Sequence, residues 1–291
     1  MSTEADDRVT VYRPNQRHEL GFWQTWGEIV RSTVRARDLI WELFKRDFLA
    51  SYKKSFIGFA WIFISPILAI VSWVFLKQTG MLQPGEVGIP YPAYVLVGSS
   101  MWGLFMGFFR SATETLSAGK SFIMQVRYPH GALLFKQSAQ QVANFAVALA
   151  LNLIVLAAFG VVPSWKVVLL PVVALPLFLL AAGIGLLFSM ASIVAVDVRR
   201  VADKGLELVM YLVPVIYAGN VPHPFIQAVI PWNPLTYLVC SARDIVIWGR
   251  LYDGQFGAAG YAVASGLALV VFLFSWRLFF LGEARIVERM L

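Results

Sequence analysis

Polar and apolar positions alternate along this chain on two length scales. From Gly21 to about Leu39 the apolar residues Phe22, Trp26, Ile29, Val30 and Val34 recur at helical spacing, with Arg31, Arg35 and Arg37 between them. That pattern predicts an amphipathic helix that lies in the headgroup plane of a membrane or packs on other protein. Beyond Arg46 the scale changes. A basic approach runs without a break into 21 uncharged residues, Phe56 to Leu76, long enough to cross a bilayer as a helix. Further uncharged runs predict spans at Tyr91 to Phe109, Gln137 to Trp165, Val167 to Val196 and Gly254 to Trp276, and a fifth span is read at Leu206 to about Ala218 with Glu207 at its edge.

The segments between the runs carry the punctuation. Met81 to Pro92 is rich in Pro and Gly and reads as a short irregular turn. Arg110 to Lys136 is the longest interior loop, and its apolar run Phe122, Ile123, Met124, Val126 and Tyr128 ahead of Pro129 predicts a short amphipathic helix. Such a stub suits docking to another protein or folding back on the membrane. Asp197, Arg199, Arg200, Asp203 and Lys204 form a charged interior turn. From Leu208 to Ala242 no residue is charged, yet Pro214, Pro222, Pro224, Pro231 and Pro234 interrupt the run. Proline inside a helix removes a hydrogen bond and clashes with the preceding turn, so the segment predicts a fifth span followed by re-entrant pieces. Non-helical backbone at that depth is tolerated only where it is buried in protein or lines a watery cavity. Arg243, Asp244 and Arg250 are expected to return the chain to the outer surface.

The resulting fold class is all-α integral membrane, with six transmembrane helices, an N-terminal amphipathic interface helix and re-entrant outer-face helices between spans 5 and 6. Residues 1–55 form a cytoplasmic segment, 56–282 the transmembrane domain with an interior loop at 110–137 and a re-entrant gate at 219–248, and 283–291 a cytoplasmic tail. Charge fixes the orientation. Interior segments hold 19 Lys or Arg against 4 in outer segments, with Arg277 at a helix end, and an excess of Lys and Arg marks the cytoplasmic side. Both termini are therefore expected in the cytoplasm. Glu4, Asp6 and Asp7, with no early apolar core, predict no cleavable signal, so the first span acts as its own insertion signal.

Composition narrows the function. At 58% apolar and 14% charged residues, with a mean hydropathy of +0.68, the chain departs from soluble domains, which are about 25% charged. The net charge of +7 clusters at span ends rather than on one folded face, so nucleic acid is not the expected partner. A single cysteine, Cys240, excludes an internal disulfide and reads as a core residue. His18, His130 and His223 are scattered, and no acid, base or metal constellation emerges. Gly119-Lys120-Ser121 resembles the end of a phosphate loop, but Glu114 stands where that loop needs glycine. The spans lack Asp, Glu, Lys and Arg, with Glu207 at an edge, so ion coupling has no evident residue. What remains is a conduit driven from elsewhere. Span aromatics such as Trp61, Phe63, Trp73, Trp102, Phe105, Phe108, Tyr211 and Tyr217 offer faces on which sugar rings stack, or serve helix packing and interface belts.

Several stretches resemble permease subunits of type-2 ABC exporters of lipid-linked polysaccharide. Arg46, Asp47, Tyr52, Ser55, Gly58, Trp61 and Pro66 are similar to the family's approach to span one. Phe122-Ile123-Met124-Gln125-Val126-Arg127-Tyr128-Pro129 is similar to its coupling helix, and Asp197-Val198-Arg199-Arg200 to its charged turn, although Val196 replaces the Arg that often precedes that Asp. Pro214-Val215-Ile216-Tyr217, Asn233-Pro234 and Arg243 resemble the end of span five and the outer gate. The resemblance implies a homodimer in the bacterial inner membrane, with two copies of a separate ATPase that holds ATP and Mg, and no cofactor in this chain. It implies export of a lipid-linked polysaccharide such as O-antigen, capsule or teichoic acid. Phe122, Ile123, Met124, Val126, Arg127, Tyr128 and Pro129 are then the ATPase contact, and Arg46, Lys53 and Lys54 meet the lipid head. Trp61, Phe63, Trp102, Tyr217, Asn233, Pro234 and Arg243 line the path or gate. The alternatives are an exporter of drugs or small lipids with the same architecture, or a membrane-embedded lipid-carrier enzyme.

Overall fold

A computed structural model describes residues 21–53, 61–118, 130–219 and 223–288. Among these residues the structure is helical throughout, without a strand. Two helices, α1 (Phe22–Arg35) and α2 (Arg37–Lys53), precede α3 (Trp61–Gln78) and α4 (Tyr91–Thr113). A single turn, α5 (Thr115–Ala118), ends that part, and α6 spans His130–Ala158. The tight helix Trp165–Leu169 leads into α7 (Leu170–Val173) and α8 (Leu175–Val194), then α9 (Val196–Val209). The chain closes with α10 (Pro224–Val229), α11 (Pro234–Ile247) and α12 (Gly257–Glu288). Among the described residues, four stretches are long and apolar enough to cross a membrane: Tyr91–Thr113, Leu133–Ala158, Trp165–Ser192 and Gly257–Gly282. A shorter apolar helix covers Ile67–Gln78.

Proline sets many of the starts. Pro92, Pro171, Pro176, Pro224 and Pro234 each stand in the first turn of their helix, where the missing N–H has no intrahelical partner to lose. The core gathers around α4, which packs against α3, α6, α8 and α11. Its Phe105 and Phe109 are fully buried, and Phe108 and Phe109 meet Phe178 and Phe188 of α8 edge to face. α8 is pressed between α4 and α12. A Cβ on Gly185 would lie 2.5 Å from Ala112 Cβ and 2.6 Å from the Phe109 carbonyl oxygen, and one on Gly183 would lie 2.9 Å from Phe272 Cα.

The N-terminal helix packs on protein through one side. Trp26 meets Trp276 of α12 edge to face at 6.0 Å, and Ile29 is buried, while Val30 and Val34 stay exposed. α2 carries a stacked ridge of Trp41, Phe44 and Phe48.

Helix covers both ends of the stretch expected as a loop at 110–137. α4 continues past Arg110 to Thr113, and α6 begins at His130, because the charges expected to stop these helices have partners. Arg110 bonds Asp203 and Glu207, and Lys136 bonds Asp47 of α2. The charged turn at 197–204 is likewise helical, as part of α9, with Asp197–Arg200 and Lys204–Glu207 pairs three residues apart along it. Spacing of that kind supports a helix.

The segment expected as the fifth span, Leu206 to about Ala218, is helical only as far as Leu212. Val213 turns to extended geometry. The reason is distance. Glu207 bonds Arg110 at one end of α4, and the Ile216 carbonyl bonds Tyr91 at the other. That stretch of α4 is about 28 Å long at about 1.5 Å per residue. A helix from 207 to 216 would cover about half of it, so part of the chain must extend, at about 3.3 Å per residue. The last helix also differs, running from Gly257 to Glu288 through much of the stretch expected as a tail.

The α4–α8 contact gives the first prediction. Gly185→Val should lower stability by about 1–3 kcal/mol through overpacking, whereas Gly205→Val, which meets nothing within 4 Å, should leave it unchanged. Thermal unfolding of the purified protein in detergent checks both.

Candidate translocation site

The non-helical residues after α9, which open with Val213 in extended geometry and run on through turns and bends, create a problem inside an apolar protein. Val213, Val215, Ile216 and Tyr217 are buried, and a buried carbonyl outside a helix needs a donor. Tyr91, Tyr94 and Gly98 lie on one face of α4 and supply the answer. Tyr91 Oη donates to the Ile216 carbonyl at 3.0 Å, and Tyr94 Oη to that of Tyr217 at 3.0 Å. A Cβ at Gly98 would strike the Val215 carbonyl oxygen, so glycine there lets the two backbones touch. The Tyr217 hydroxyl closes the loop on itself, donating to the Tyr211 carbonyl at 2.8 Å.

Arg243 completes this clamp from α11. Its Nη1 donates to the Pro214 carbonyl at 2.6 Å and to Tyr94 Oη, its Nε donates to Asp244 Oδ1 at 2.7 Å, and its guanidinium lies 4.4 Å from the Tyr94 ring centroid. Arg243 and Asp244, expected on the outer surface, are instead buried, at 3% and 6% side-chain exposure. The pair is neutral overall, and the Tyr94 and Pro214 oxygens occupy donors that Asp244 leaves over, which is the condition under which buried charge is tolerated. The interior is therefore not free of carboxylates, but the one at Asp244 is held by arginine. Arg250 is exposed. Asn233 caps α11, its Oδ1 accepting from the Leu235 N–H at 3.0 Å and its Nδ2 donating to the Leu212 carbonyl at 3.3 Å, and Pro234 follows in the first turn. α11 has 14 residues, about 21 Å, too short for a hydrocarbon core of about 30 Å.

At mid-length of α4 lies a second feature. A cavity of about 280 Å³ opens between α3, α4 and α6, lined by Ser99, Ser100, Gly103, Gln141, Asn144 and Phe145 among others. Its polar side continues as a stripe on α6. Gln137, Gln141, Asn144 and Asn152 fall four, three and eight residues apart on one helical face. Ser100 Oγ donates to Asn152 Oδ1 at 3.2 Å. A Cβ on Gly107 would lie 2.7 Å from Gln141 Oε1, while one on Gly103 would meet nothing.

The Arg110 end of α4 is an ionic joint. Arg110 Nε lies 3.1 Å from Asp203 and its Nη2 3.0 Å from Glu207, and Arg199 pairs with Glu114, just beyond α4. α5 is wedged beside this joint, with Leu116 buried and its N–H donating to Ser189 Oγ at 3.3 Å.

Residues 38–247 match the ABC-2 type transporter family. The chain belongs to this family. It is the permease subunit of a type-2 ABC exporter. The chain is 28% identical over 234 residues to the O-antigen export system permease protein RfbA of Myxococcus xanthus, covering 78% of this chain and 87% of that one. Two O-antigen export system permease proteins RfbA of Klebsiella pneumoniae are each 24% identical, over 217 and 220 residues, covering 74% of this chain and 82% of theirs.

Of the path residues expected from the permease sequence, Tyr217, Asn233, Pro234 and Arg243 converge on the clamp. Trp102 sits apart, buried in the α4 core with its ring 5.3 Å from Phe105. Trp61 and Phe63 stand on the first turn of α3, and their side chains lie outside the described residues. So do Lys54 and the whole coupling run Phe122, Ile123, Met124, Val126, Arg127, Tyr128 and Pro129, as well as the side chain of Lys53. Arg46, more than half exposed, bonds Asp47 at 2.8 Å. Sequence reasoning missed Tyr91, Tyr94, Asp244 and the amide stripe. Counting formal charge alone hides Gln and Asn, but their spacing on one helical face of α6 was there to be found.

Two predictions follow from this geometry. Arg243→Met removes one member of a buried pair and should cost about 3–5 kcal/mol. Adding Asp244→Asn should recover only part of that, because the Pro214 carbonyl has lost its 2.6 Å donor and keeps the longer contacts of Tyr94 Oη at 3.3 Å and Cys240 Sγ at 3.6 Å. Thermal unfolding of the purified permease reads the difference. The second concerns pH. Burial raises the pKa of Asp47, but hydrogen bonds from Lys136 and Arg46 outweigh it and hold the carboxyl below its ordinary value. A depressed folded pKa contributes stability above the unfolded pKa of about 3.9 and loses it as pH falls through the folded value. The α2–α6 contact should therefore loosen on acidification below about pH 4, seen as faster amide exchange in 37–53, and Asp47→Asn should abolish that response.

Proposed function

We propose that this permease is the membrane-spanning subunit of an ATP-driven exporter that carries a lipid-linked polysaccharide of the O-antigen kind. Transport runs from the cytoplasmic to the outer face of the bacterial inner membrane, through a channel between two copies of the chain. The observation that carries this reading is the shared description of three relatives, all permeases of O-antigen export systems, aligned over 87%, 82% and 82% of their own length.

The chain crosses the membrane six times with both termini in the cytoplasm, consistent with its 19 interior and 4 outer Lys and Arg. The fifth crossing is the composite stretch from the end of α9 to Tyr217, and α10 and α11 dip in from outside. ATP and Mg are bound by a separate ATPase, two copies of which dock on the 122–129 loops of the dimer. Closure of the ATPase pair pushes on the root of that loop, at α5 and Glu114. The Glu114–Arg199 and Arg110–Asp203 and Glu207 bonds hand the push to α9. α9 continues into Val213–Tyr217, so the stroke reaches the clamp at the outer end of α4. The carrier's phosphate meets Arg46, Lys53 and Lys54 at the inner face, where cations suit a phosphate group. Capsule and teichoic acid polymers fall within the same substrate class.

Phe122→Asp with Tyr128→Asp should leave the permease folded and in the membrane but break its association with the ATPase and stop export. Normal co-purification and normal surface polymer in that variant would refute the docking role. Purified complex whose ATPase activity responds to lipid-linked polymer supports the substrate class. A response to small drugs or short lipids alone would assign it to a different kind of exporter.

A further inference from the structure

The cavity between α3, α4 and α6 has a chemistry that the aromatic path residues do not share. Ser99, Ser100, Gln141 and Asn144 give it hydroxyl and amide groups, and Phe145 gives it one aromatic wall. Among the described residues, no Asp, Glu, Lys or Arg lines it. It lies half-way along α4 and α6, both of which carry stretches long and apolar enough to cross a membrane. Ser99 Oγ, in its lining, is buried without a hydrogen-bond partner, as are Gln137 Oε1, Gln140 Oε1 and Asn152 Nδ2 elsewhere along α6. Such atoms are costly to leave unmet, and a concentration of them on two facing helices needs an account.

The groups present select among ligands. A phosphate would call for Arg or Lys and a metal cation for carboxylates, while Ile70, Val95, Leu96 and Leu104 give the lining an apolar part as well, so it is the polar groups and not the lining as a whole that single out the ligand. Serine hydroxyls and carboxamides each both donate and accept hydrogen bonds. They match a ligand dense in neutral hydroxyls, and an aromatic wall matches the apolar C–H face of the same ligand. A sugar ring has both surfaces. The volume, about 280 Å³, is near the lower end of small-ligand sites, about 300–1,000 Å³, which suits a short sugar segment.

We propose that this cavity is a subsite for an uncharged sugar segment of the transported polymer, held by Gln141 and Asn144 with Ser99 and Ser100 and faced by Phe145. The proposal rests on the polysaccharide-export reading and adds a place within the permease where the glycan is held. Gly103 keeps the α4 side of the cavity open.

The test uses the full transporter in cells that make the polymer. A photo-reactive benzoylphenylalanine is placed at Ala148, which lines the cavity, and in a second strain at Ser99. A third strain carries it at Ile154, exposed on the outward side of α6. After irradiation, a glycan-reactive adduct from the cavity positions and none from Ile154 is the expected result. An adduct only with lipid, or only with a second copy of the permease, would overturn the proposal, as would the absence of any adduct. Gln141→Leu with Asn144→Leu should lower surface polymer by about tenfold, the scale of one or two lost hydrogen bonds, with permease level and ATPase co-purification unchanged. Unchanged surface polymer would overturn it. If that variant is lost from the membrane, the adducts decide. Deleting the permease separates the two levels. Surface polymer abolished by deletion, with no glycan adduct, removes the subsite and keeps the exporter. Surface polymer untouched by deletion removes both.

Discussion

Three backbone carbonyls, those of Pro214, Ile216 and Tyr217, leave helical geometry inside the apolar core, and the architecture depends on how they are met. Tyr91, Tyr94 and Arg243 reach them from α4 and α11. Without water or a neighbouring helical turn, each would be a buried acceptor without a donor. The clamp explains three features at once: glycine at position 98, where Val215 backbone lies against α4, a cap at Asn233 that also reaches Leu212, and a buried arginine. It also explains why so short a segment can lie along nearly the full length of α4. Extended backbone covers more distance per residue than helix, and its polar groups are satisfied laterally instead of along an axis.

Much of this plan was legible in the sequence. Long uncharged runs give the helices at 91–113, 133–158, 165–192 and 257–282 because a bilayer-length helix must be apolar over most of its surface. The five prolines after Leu208 announced that no straight helix could follow. Other features were hidden for physical reasons. A charge in sequence reads as surface, so Arg243 and Asp244 gave no sign that they neutralise each other in the core. The charged residues of α9 read as a turn, although their spacing pairs Asp197 with Arg200 and Lys204 with Glu207 along a helix. Arg110 and Lys136 read as helix ends, but each finds a carboxylate on another helix and its own helix runs on. In each case the missing information was a partner distant in sequence.

The same long-range pairs give the fold a continuous connection from one end of α4 to the other. Exposed ion pairs such as Arg110 with Asp203 and Glu207 contribute little stability, about 0–1 kcal/mol each. Their consequence is positional. They tie the end of α4, and Glu114 just beyond it, to α9 through several directional contacts. α9 leads through the tight turn Met210–Leu212 directly into the non-helical segment that begins at Val213. A displacement at Glu114 is therefore opposed at Tyr91, Tyr94 and Arg243, which hold the buried residues Val213 to Tyr217, while α9 itself keeps Val201, Leu208 and Tyr211 exposed.

The distribution of charge along α4 bears on what such a connection can move. Ionic groups lie at its Arg110 end and a locked ion pair lies at its Tyr94 end, while the polar groups among the described residues lining the cavity at its middle are hydroxyls and amides. Two unit charges at 4 Å attract by about 4 kcal/mol at an effective dielectric constant of 20, against about 1 in water. A free charge at mid-depth would hold an oppositely charged group and slow its passage. Neutral hydrogen bonds contribute about 0.5–1.5 kcal/mol net, close enough to thermal energy to be exchanged one for the next. A neutral polymer sliding past Ser99, Gln141 and Asn144 would thus meet many weak contacts in place of one deep trap. On the proposed route Arg243 would not act as a trap, because Asp244, Tyr94 and the Pro214 carbonyl already occupy it.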